Sequence, residues 1–122
     1  MNASRPCLIW VLQTARAGDN AQARELASRL SGTAVLVPLG FNSWHRLPNG
    51  FTRASLVTLD KESRSRLAPP WPDLVIATGK RTVPVALWIR QASGGKTRLI
   101  QIGRPRAPLR LFDLVVTTPQ YG

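Results

Sequence analysis

The chain has 122 residues, the length of a single domain, and we expect residues 1–122 to form one unit. Its 14 arginines and three lysines face only six acidic residues, which gives a formal net charge of +11. This excess favours an anionic partner, although a coding bias toward arginine explains it as well. The single cysteine excludes an internal disulfide, and no apolar run reaches the ~18–20 residues that span a bilayer.

The first part of the chain predicts a strand, a helix and a second strand. Residues 7–13 form a continuous apolar run, as in a strand that is covered on both faces. A helix is predicted over residues 20–30, and Asp19 and Gln22 occupy the positions of a capping box at its start. The second strand is predicted over residues 33–39.

Residues 40–59 are the hardest to assign, because they mix turn formers with large apolar side chains. A segment of this length without an element of its own is usually functional or disordered. It holds His45, the only histidine, for which a structural or surface role is favoured over catalysis. Residues 60–67 then predict a short polar helix, and residues 68–72 form a rigid proline-rich connector.

The remaining sequence predicts three strands and one helix. Residues 73–78 predict a strand, and the helix after it extends to about residue 92 with Thr82 as its N-cap. Two more strands are predicted over residues 97–102 and 113–118.

The alternation of short strands and helices predicts an α/β fold of Rossmann-like type. We expect an open, mostly parallel sheet with flanking helices and right-handed crossover connections. Trp10 and Trp88 are expected in the core rather than in a base-stacking platform. Asp73 and Asp113 stand at the starts of strands, so they belong to the edge opposite the strands' carboxyl ends.

Ligands of such sheets bind beyond the carboxyl ends of the strands. Three predicted loops at this edge, residues 16–19, 79–82 and 103–106, each pair a glycine with at least one arginine. For any one loop the favoured interpretation is that its glycine serves a tight turn and its arginine is solvated, but the three loops together predict a cleft that binds phosphate or another anion. The candidate ligand-binding residues in and beside these loops are Arg16, Gly18, Asp19, Asn20, Gln22, Gly79, Lys80, Arg81, Thr82, Gly103, Arg104 and Pro105.

Sharper chemical motifs are absent from the sequence. The segment at Gly79 is not a P-loop, because Leu74 stands where the first glycine belongs and Arg81 replaces the serine or threonine. There is no G-x-G-x-x-G fingerprint, and one histidine with one cysteine cannot form a zinc site. We therefore predict no cofactor and no metal, and the catalytic residues remain unassigned.

Four segments carry a resemblance to a known family. They are PWPDLVIATG at residues 70–79 with the following Arg81 and Thr82, QIGRPR at 101–106, TTPQY at 117–121 and GDNAQ at 18–22. These segments resemble the mitochondrial-fission "elongated mitochondria" family, whose bacterial members are similar to two-domain B-type glycosyltransferases. The resemblance adds Gln120 and Tyr121 to the candidate ligand-binding residues.

The resemblance implies that this chain is the amino-terminal fragment of a longer, two-domain protein. In B-type glycosyltransferases the second domain binds the nucleotide sugar, and the first mainly recognises the acceptor. The expected partners are therefore a nucleotide sugar or phosphorylated ligand and the missing carboxyl-terminal domain, and the fragment alone is expected to be inactive. Asp19 stands where many members are similar in having a histidine, so the resemblance assigns no general base there.

A second interpretation is an adaptor without turnover. The plant member of the family is similar to an adaptor that brings a dynamin-related protein to the outer mitochondrial membrane, and the +11 charge suits an anionic membrane surface. The expected location is cytoplasmic, either free or peripheral at the inner face of a bacterial membrane. Nucleic acid is the least favoured partner, since charge alone supports it.

Overall fold

A computed structural model of the chain describes residues 7–14, 17–40, 59–79, 81–103 and 109–116. They form five strands, three helices and one 3-10 turn. In chain order these are β1 (Leu8–Gln13), α1 (Ala17–Ser28), β2 (Thr33–Pro38), α2 (Lys61–Ser65), β3 (Leu74–Thr78), α3 (Val83–Ala92), β4 (Arg98–Ile102), the 3-10 turn (Leu109–Leu111) and β5 (Leu114–Val116).

The strands make one open sheet in the order β2-β1-β3-β4-β5, and every neighbouring pair is parallel. The α/β, Rossmann-like prediction is therefore confirmed. The two ends of the sheet, β2 and β5, are edge strands. On β2 both Val35 and Leu36 are more than two-fifths exposed, and Leu114 of β5 is about half exposed. The strands between them are buried.

The sheet has a separate hydrophobic cluster on each face, because successive side chains of a strand point to opposite sides. This cover on both faces explains why β1, β3 and β4 are apolar almost throughout. On one face the strands pack against α3, through Trp10, Leu12, Val75, Ala77 and Leu99 on the strands and Val83, Val85, Ala86 and Ile89 on the helix. On the other face they pack against α1, through Ile9, Val11, Ile76, Ile100 and Ile102 on the strands and Ala23 and Ala27 on the helix.

Three tryptophans form a row on the α3 face. The ring of Trp71 lies 6.0 Å from Trp10, tilted, and 5.8 Å from Trp88, edge to face. Trp10 is buried, and Trp88 is partly buried against the same cluster. The prediction that Trp10 and Trp88 belong to the core is confirmed, and Trp71 in the proline-rich connector joins them.

Two aspartates extend the sheet ladder beyond the amino ends of their strands. The backbone N–H of Asp73 donates to the Leu8 carbonyl at 2.8 Å, and its carboxylate accepts the Leu8 N–H at 2.8 Å. Asp113 repeats this arrangement with Leu99, at 3.0 and 2.7 Å. Both aspartates begin an Asp-Leu-Val sequence and lie at the edge opposite the strands' carboxyl ends, as predicted.

The start of α1 differs from the prediction. The helix begins at Ala17 and not at residue 20, so Asp19 lies inside the first turn and the predicted capping box is wrong. The reason is a side-chain bracket: the amide of Asn20 accepts the Thr14 N–H at 2.8 Å and donates to the Thr14 carbonyl at 2.7 Å. Because Asn20 is held against the end of β1, the connection is short and the helix starts early.

Thr82 stands directly before α3, as predicted, but it does not cap the helix. Its backbone is already helical, at φ −85° and ψ −10°, whereas a capping residue is normally extended. Its hydroxyl donates backward, to the Thr78 carbonyl at 3.1 Å and the Gly79 carbonyl at 3.3 Å. Thr82 therefore fixes the turn after β3 and leaves the first N–H groups of α3 uncapped by a side chain.

The short helix α2 and the residue before it are hydrogen-bonded to Gly40, the last described residue before segment 41–58. That segment, which includes His45, lies outside the described residues. The N–H of Asp60 donates to the Gly40 carbonyl at 2.9 Å, and the N–H of Gly40 donates to the Ser63 hydroxyl at 2.7 Å. Asp60 also caps α2, since its carboxylate accepts the Ser63 N–H at 2.8 Å. The predicted polar helix is thus confirmed, with a role in clamping the two ends of the segment.

The cap predicts a specific response to acid. Hydrogen bonds from the backbone and the side chain of Ser63 hold the pKa of Asp60 below its usual value. The stability that the ionised carboxylate contributes is therefore present above the unfolded pKa of about 3.9 and lost as pH falls through the lower folded pKa. Asp60→Asn keeps a capping oxygen without the charge, so in urea titrations from pH 6 to pH 2.5 it should lose less stability than the native chain. Parallel pH profiles for the two chains would contradict this role of the charge.

Candidate functional site

The strand order places a topological switch point between β1 and β3. From β1 the chain crosses to β2 on one side of the sheet, and later strands are added on the other side, from β3 to β5. Connections that leave two adjacent strands in opposite directions open a crevice at their carboxyl ends, where ligands of open α/β sheets bind. Helices α1 and α3 follow β1 and β3 directly. We call the region between the carboxyl ends of β1 and β3 the switch-point crevice.

One wall of the switch-point crevice is the turn after β3. Gly79 adopts a positive φ of +79°, which residues with a side chain rarely take. Its N–H donates to the Ile102 carbonyl at 3.0 Å, and its own carbonyl accepts the side-chain amide of Gln101 at 2.7 Å. With the Thr82 hydroxyl also on this carbonyl, the turn is fixed from three sides.

Among the described residues of this turn, Arg81 carries the positive charge, and its side chain is exposed. It precedes Thr82 and the amino end of α3, where unsatisfied N–H groups and the helix dipole favour a negative charge. Pro84 removes one of those donors because it has no N–H. The turn therefore offers an exposed guanidinium beside a short row of backbone donors.

The exit of β4 repeats the geometry of the β3 turn. Gly103 has a φ of +85°, and its N–H donates to the Val116 carbonyl at 2.7 Å. The residue after each strand thus adds one further rung to the ladder before the chain leaves the sheet. Two of the three glycines that the sequence placed at this edge are turn residues with positive φ, whereas Gly18 lies in the first turn of α1.

Several buried polar atoms near the switch-point crevice have no hydrogen-bond partner among the described residues. In the described part of the chain, Nε2 of Gln13, Oε1 of Gln22 and Oγ1 of Thr78 are buried and make no hydrogen bond. Oε1 of Gln101 is in the same condition on the α3 face. These atoms sit at or next to the carboxyl ends of β1, β3 and β4 or in the first half of α1.

A comparison with models of protein families shows to which family the chain belongs. The family model "Mitochondrial fission ELM1" matches residues 17–120 of the chain. The chain belongs to this family. The resemblance that the four sequence segments indicated is thereby confirmed.

A curated relative of this ELM1 family chain is an uncharacterized protein of Rickettsia prowazekii (strain Madrid E). It is 28% identical over 109 residues, and the match covers 88% of this chain and 30% of the relative. The chain therefore spans about a third of the length of that relative. No solved structure matches the chain.

The site residues predicted from the sequence fall into four groups in this ELM1 family chain. Gly79, Arg81, Thr82 and Gly103 lie together at the carboxyl edge, in the turns after β3 and β4. Gln22 and Asn20 both lie in α1. The Oε1 atom of Gln22 is buried without a hydrogen-bond partner, and the side-chain amide of Asn20 is hydrogen-bonded to the backbone of Thr14. Gly18 and Asp19 belong to the first turn of α1 by backbone position. Arg16, Lys80, Arg104, Pro105, Gln120 and Tyr121 lie outside the described residues and stay sequence predictions.

Three residues of the crevice were not singled out from the sequence. Gln101 is fully buried and holds the Gly79 turn, and Gln13 and Thr78 carry unpartnered atoms. A signal was present, because each is a polar residue within or at the end of an apolar strand. A buried polar group in such a place generally serves a specific hydrogen bond.

The described residues show neither a metal-binding cluster nor a helix that could span a membrane. They contain no group of three or more His, Cys, Asp or Glu side chains placed to hold a metal ion. No described helix is both long and apolar enough to cross a bilayer.

Proposed function

We propose that this chain provides the acceptor-side binding domain of a glycosyltransferase-like protein of the ELM1 family, with an anion site in the switch-point crevice. The ligand would carry a phosphate, as a nucleotide sugar or a phosphorylated acceptor does. The observation that carries the proposal is the convergence, at one switch point, of the amino end of α1, the Gly79 turn and Arg81.

The parts of this crevice divide the work of anion binding in a chemically reasonable way. Gly79 has no Cβ to obstruct an approach to the backbone and adopts the positive φ that the turn requires, and Gln101 and Thr82 keep the turn in place. Arg81 can donate two parallel hydrogen bonds to a phosphate from a guanidinium that is already exposed. A fixed turn with one adaptable cation suits a ligand that must enter and leave.

The charge distribution supports an anionic ligand in general. Among the described ion pairs, Glu25 joins Arg29 and Glu62 joins Arg66, while Asp73 and Asp113 accept backbone N–H groups. The acids of the described region are thus occupied locally, and a large positive excess remains on the surface. The excess raises the local concentration of anions but does not choose between a phosphorylated ligand and an acidic membrane.

A thermal-shift titration of the 122-residue chain with inorganic phosphate, UDP and UDP-glucose tests the proposal. A ligand of the folded state stabilises it by RT ln(1 + [L]/Kd), about 2.7 kcal/mol at a hundredfold excess over Kd. We expect a saturable rise in Tm that Arg81→Ala reduces. Arg98→Ala is the matched control, since Arg98 is equally an exposed arginine but begins β4 at the opposite edge of the sheet.

The outcomes separate the two interpretations of the charge. If Arg81→Ala and Arg98→Ala reduce the ligand-induced rise in Tm equally, the attraction is nonspecific. If no ligand raises the Tm of a folded chain, the proposed anion site is wrong. Binding to vesicles rich in anionic lipid, with no response to soluble phosphates, would instead support the adaptor at a membrane surface.

A further inference from the structure

Among the described residues, three buried polar atoms without a hydrogen-bond partner lie at the carboxyl ends of β1 and β3 or in the first half of α1, beside the switch-point crevice. Thr78 is only 3% exposed, and Gln13 and Gln22 are partly exposed although their unpartnered amide atoms are buried. Burying a polar atom without a partner is unfavourable, and native proteins keep few such atoms. A group of a bound ligand would supply the missing partners, which gives a reason for the concentration of these atoms beside one ligand crevice.

The sheet register brings two of these side chains next to each other. Val11 of β1 pairs with Ile76 of β3 at the last rung of their ladder, and the same register continued by two residues aligns Gln13 with Thr78 across the strand spacing of about 4.8 Å. Alternation along the strands points both side chains to the face that holds Val11 and Ile76. That face is covered by α1, where Gln22 directly precedes the buried Ala23.

The chemistry of the three atoms selects the group that they can bind. Nε2 of Gln13 donates, Oε1 of Gln22 accepts, and the Thr78 hydroxyl can do both. A phosphate oxygen would meet the acceptor unfavourably, and an ammonium would meet the donor unfavourably. An alcohol hydroxyl satisfies all three atoms, because it donates one hydrogen bond and accepts two.

We propose that Gln13, Gln22 and Thr78 form a subsite for a hydroxyl group of a polyol or sugar. This inference rests on the proposed function, since it assigns the uncharged part of the ligand whose phosphate lies toward Gly79 and Arg81. The preferred ligand is then a phosphate ester of a hydroxylated carbon chain or ring. Inorganic phosphate fills only the charged half of the crevice.

The unliganded chain provides the first test. Thr78→Val removes a hydroxyl that has no partner, so it should leave Tm unchanged or raise it. Thr97→Val is the matched control: Thr97 is equally buried, but its hydroxyl donates to the Pro72 carbonyl at 2.7 Å, and the substitution should lower Tm. An equal fall in Tm for both would mean that a trapped water or another group already satisfies Thr78, which would overturn the subsite.

Ligand affinity provides the second test, with methyl phosphate as the ester that lacks a free hydroxyl. We expect glycerol 1-phosphate or glucose 1-phosphate to bind the native chain about fivefold to tenfold more tightly than methyl phosphate, the effect of about one hydrogen bond. Thr78→Val and Gln22→Met should each abolish this advantage, and Thr78→Ser, which keeps the hydroxyl, should retain it.

The failure of the subsite and the failure of the anion site are distinguishable. If methyl phosphate binds but the hydroxylated esters bind no better, or if Thr78→Val keeps their advantage, the hydroxyl subsite is wrong and the anion site stands. If none of the phosphates binds, the anion site itself is wrong and this subsite falls with it.

Discussion

Replacement of Gly32 by alanine is expected to lower the free energy of unfolding by about 3 kcal/mol. Gly32 has a φ of +152°, and a Cβ built on it would lie 2.4 Å from the carbonyl oxygen of Cys7. That oxygen cannot easily move away, because it accepts the Thr33 N–H at 2.7 Å and so makes the first contact between β1 and β2. The alanine must therefore either distort the turn or break this hydrogen bond.

Gly94→Ala separates the two causes of this loss. Gly94 also has a positive φ, +74°, but an added Cβ meets nothing within 4 Å. Its replacement should cost only the left-handed backbone penalty of about 1–2 kcal/mol. Urea denaturation of the native chain and the two variants measures the difference. Equal losses for Gly32→Ala and Gly94→Ala would show that the close approach to Cys7 does not constrain the fold.

Asp73→Ala is expected to destabilise the chain by about 2 kcal/mol, in the range found for hydrogen bonds to charged groups. The substitution removes the acceptor of the Leu8 N–H at the amino end of β1, the strand that pairs with both β2 and β3. The remaining contact, from the Asp73 N–H to the Leu8 carbonyl, involves only the backbone and should persist.

The amide variant is the control for this prediction. Asp73→Asn keeps a side-chain oxygen at the same place, so chemical denaturation should show a loss well below that of Asp73→Ala. Asp113→Ala should repeat the alanine result, because the carboxylate of Asp113 accepts the N–H of the buried Leu99 in the same geometry. An Asn variant as unstable as the Ala variant would mean that the negative charge, and not the acceptor, matters at this position.

The sequence predicted the layers and strands of this fold but not the way its turns are fixed. Apolar runs located the five strands, since strands covered on both faces must be apolar almost throughout. The start of α1 was misplaced because the deciding contact is between the side chain of Asn20 and the backbone of Thr14, which no local propensity shows. Thr82 was placed correctly and its hydrogen bond was not, for the same reason.

The candidate site was predictable to the level of the sheet edge. Parallel strands bring their carboxyl ends together whatever the register, so the turns at Gly79 and Gly103 could be placed there from the sequence. The unpartnered polar atoms of Gln13 and Thr78 could not, because their placement depends on the register of β1 against β3, in which Val11 pairs with Ile76, 65 positions away. The relation of Gln101 to Gly79 depends equally on register.

The strand order also has a consequence for the way in which the chain is made on the ribosome. The unit β1-α1-β2 is complete once residue 38 has been synthesised, but the second partner of β1 begins only at Leu74. At about 5–20 residues per second, one side of β1 waits for seconds while the intervening segment emerges. During that interval β1, which later becomes an interior strand of the sheet, has one open edge, and the nascent chain is then most exposed to wrong pairing.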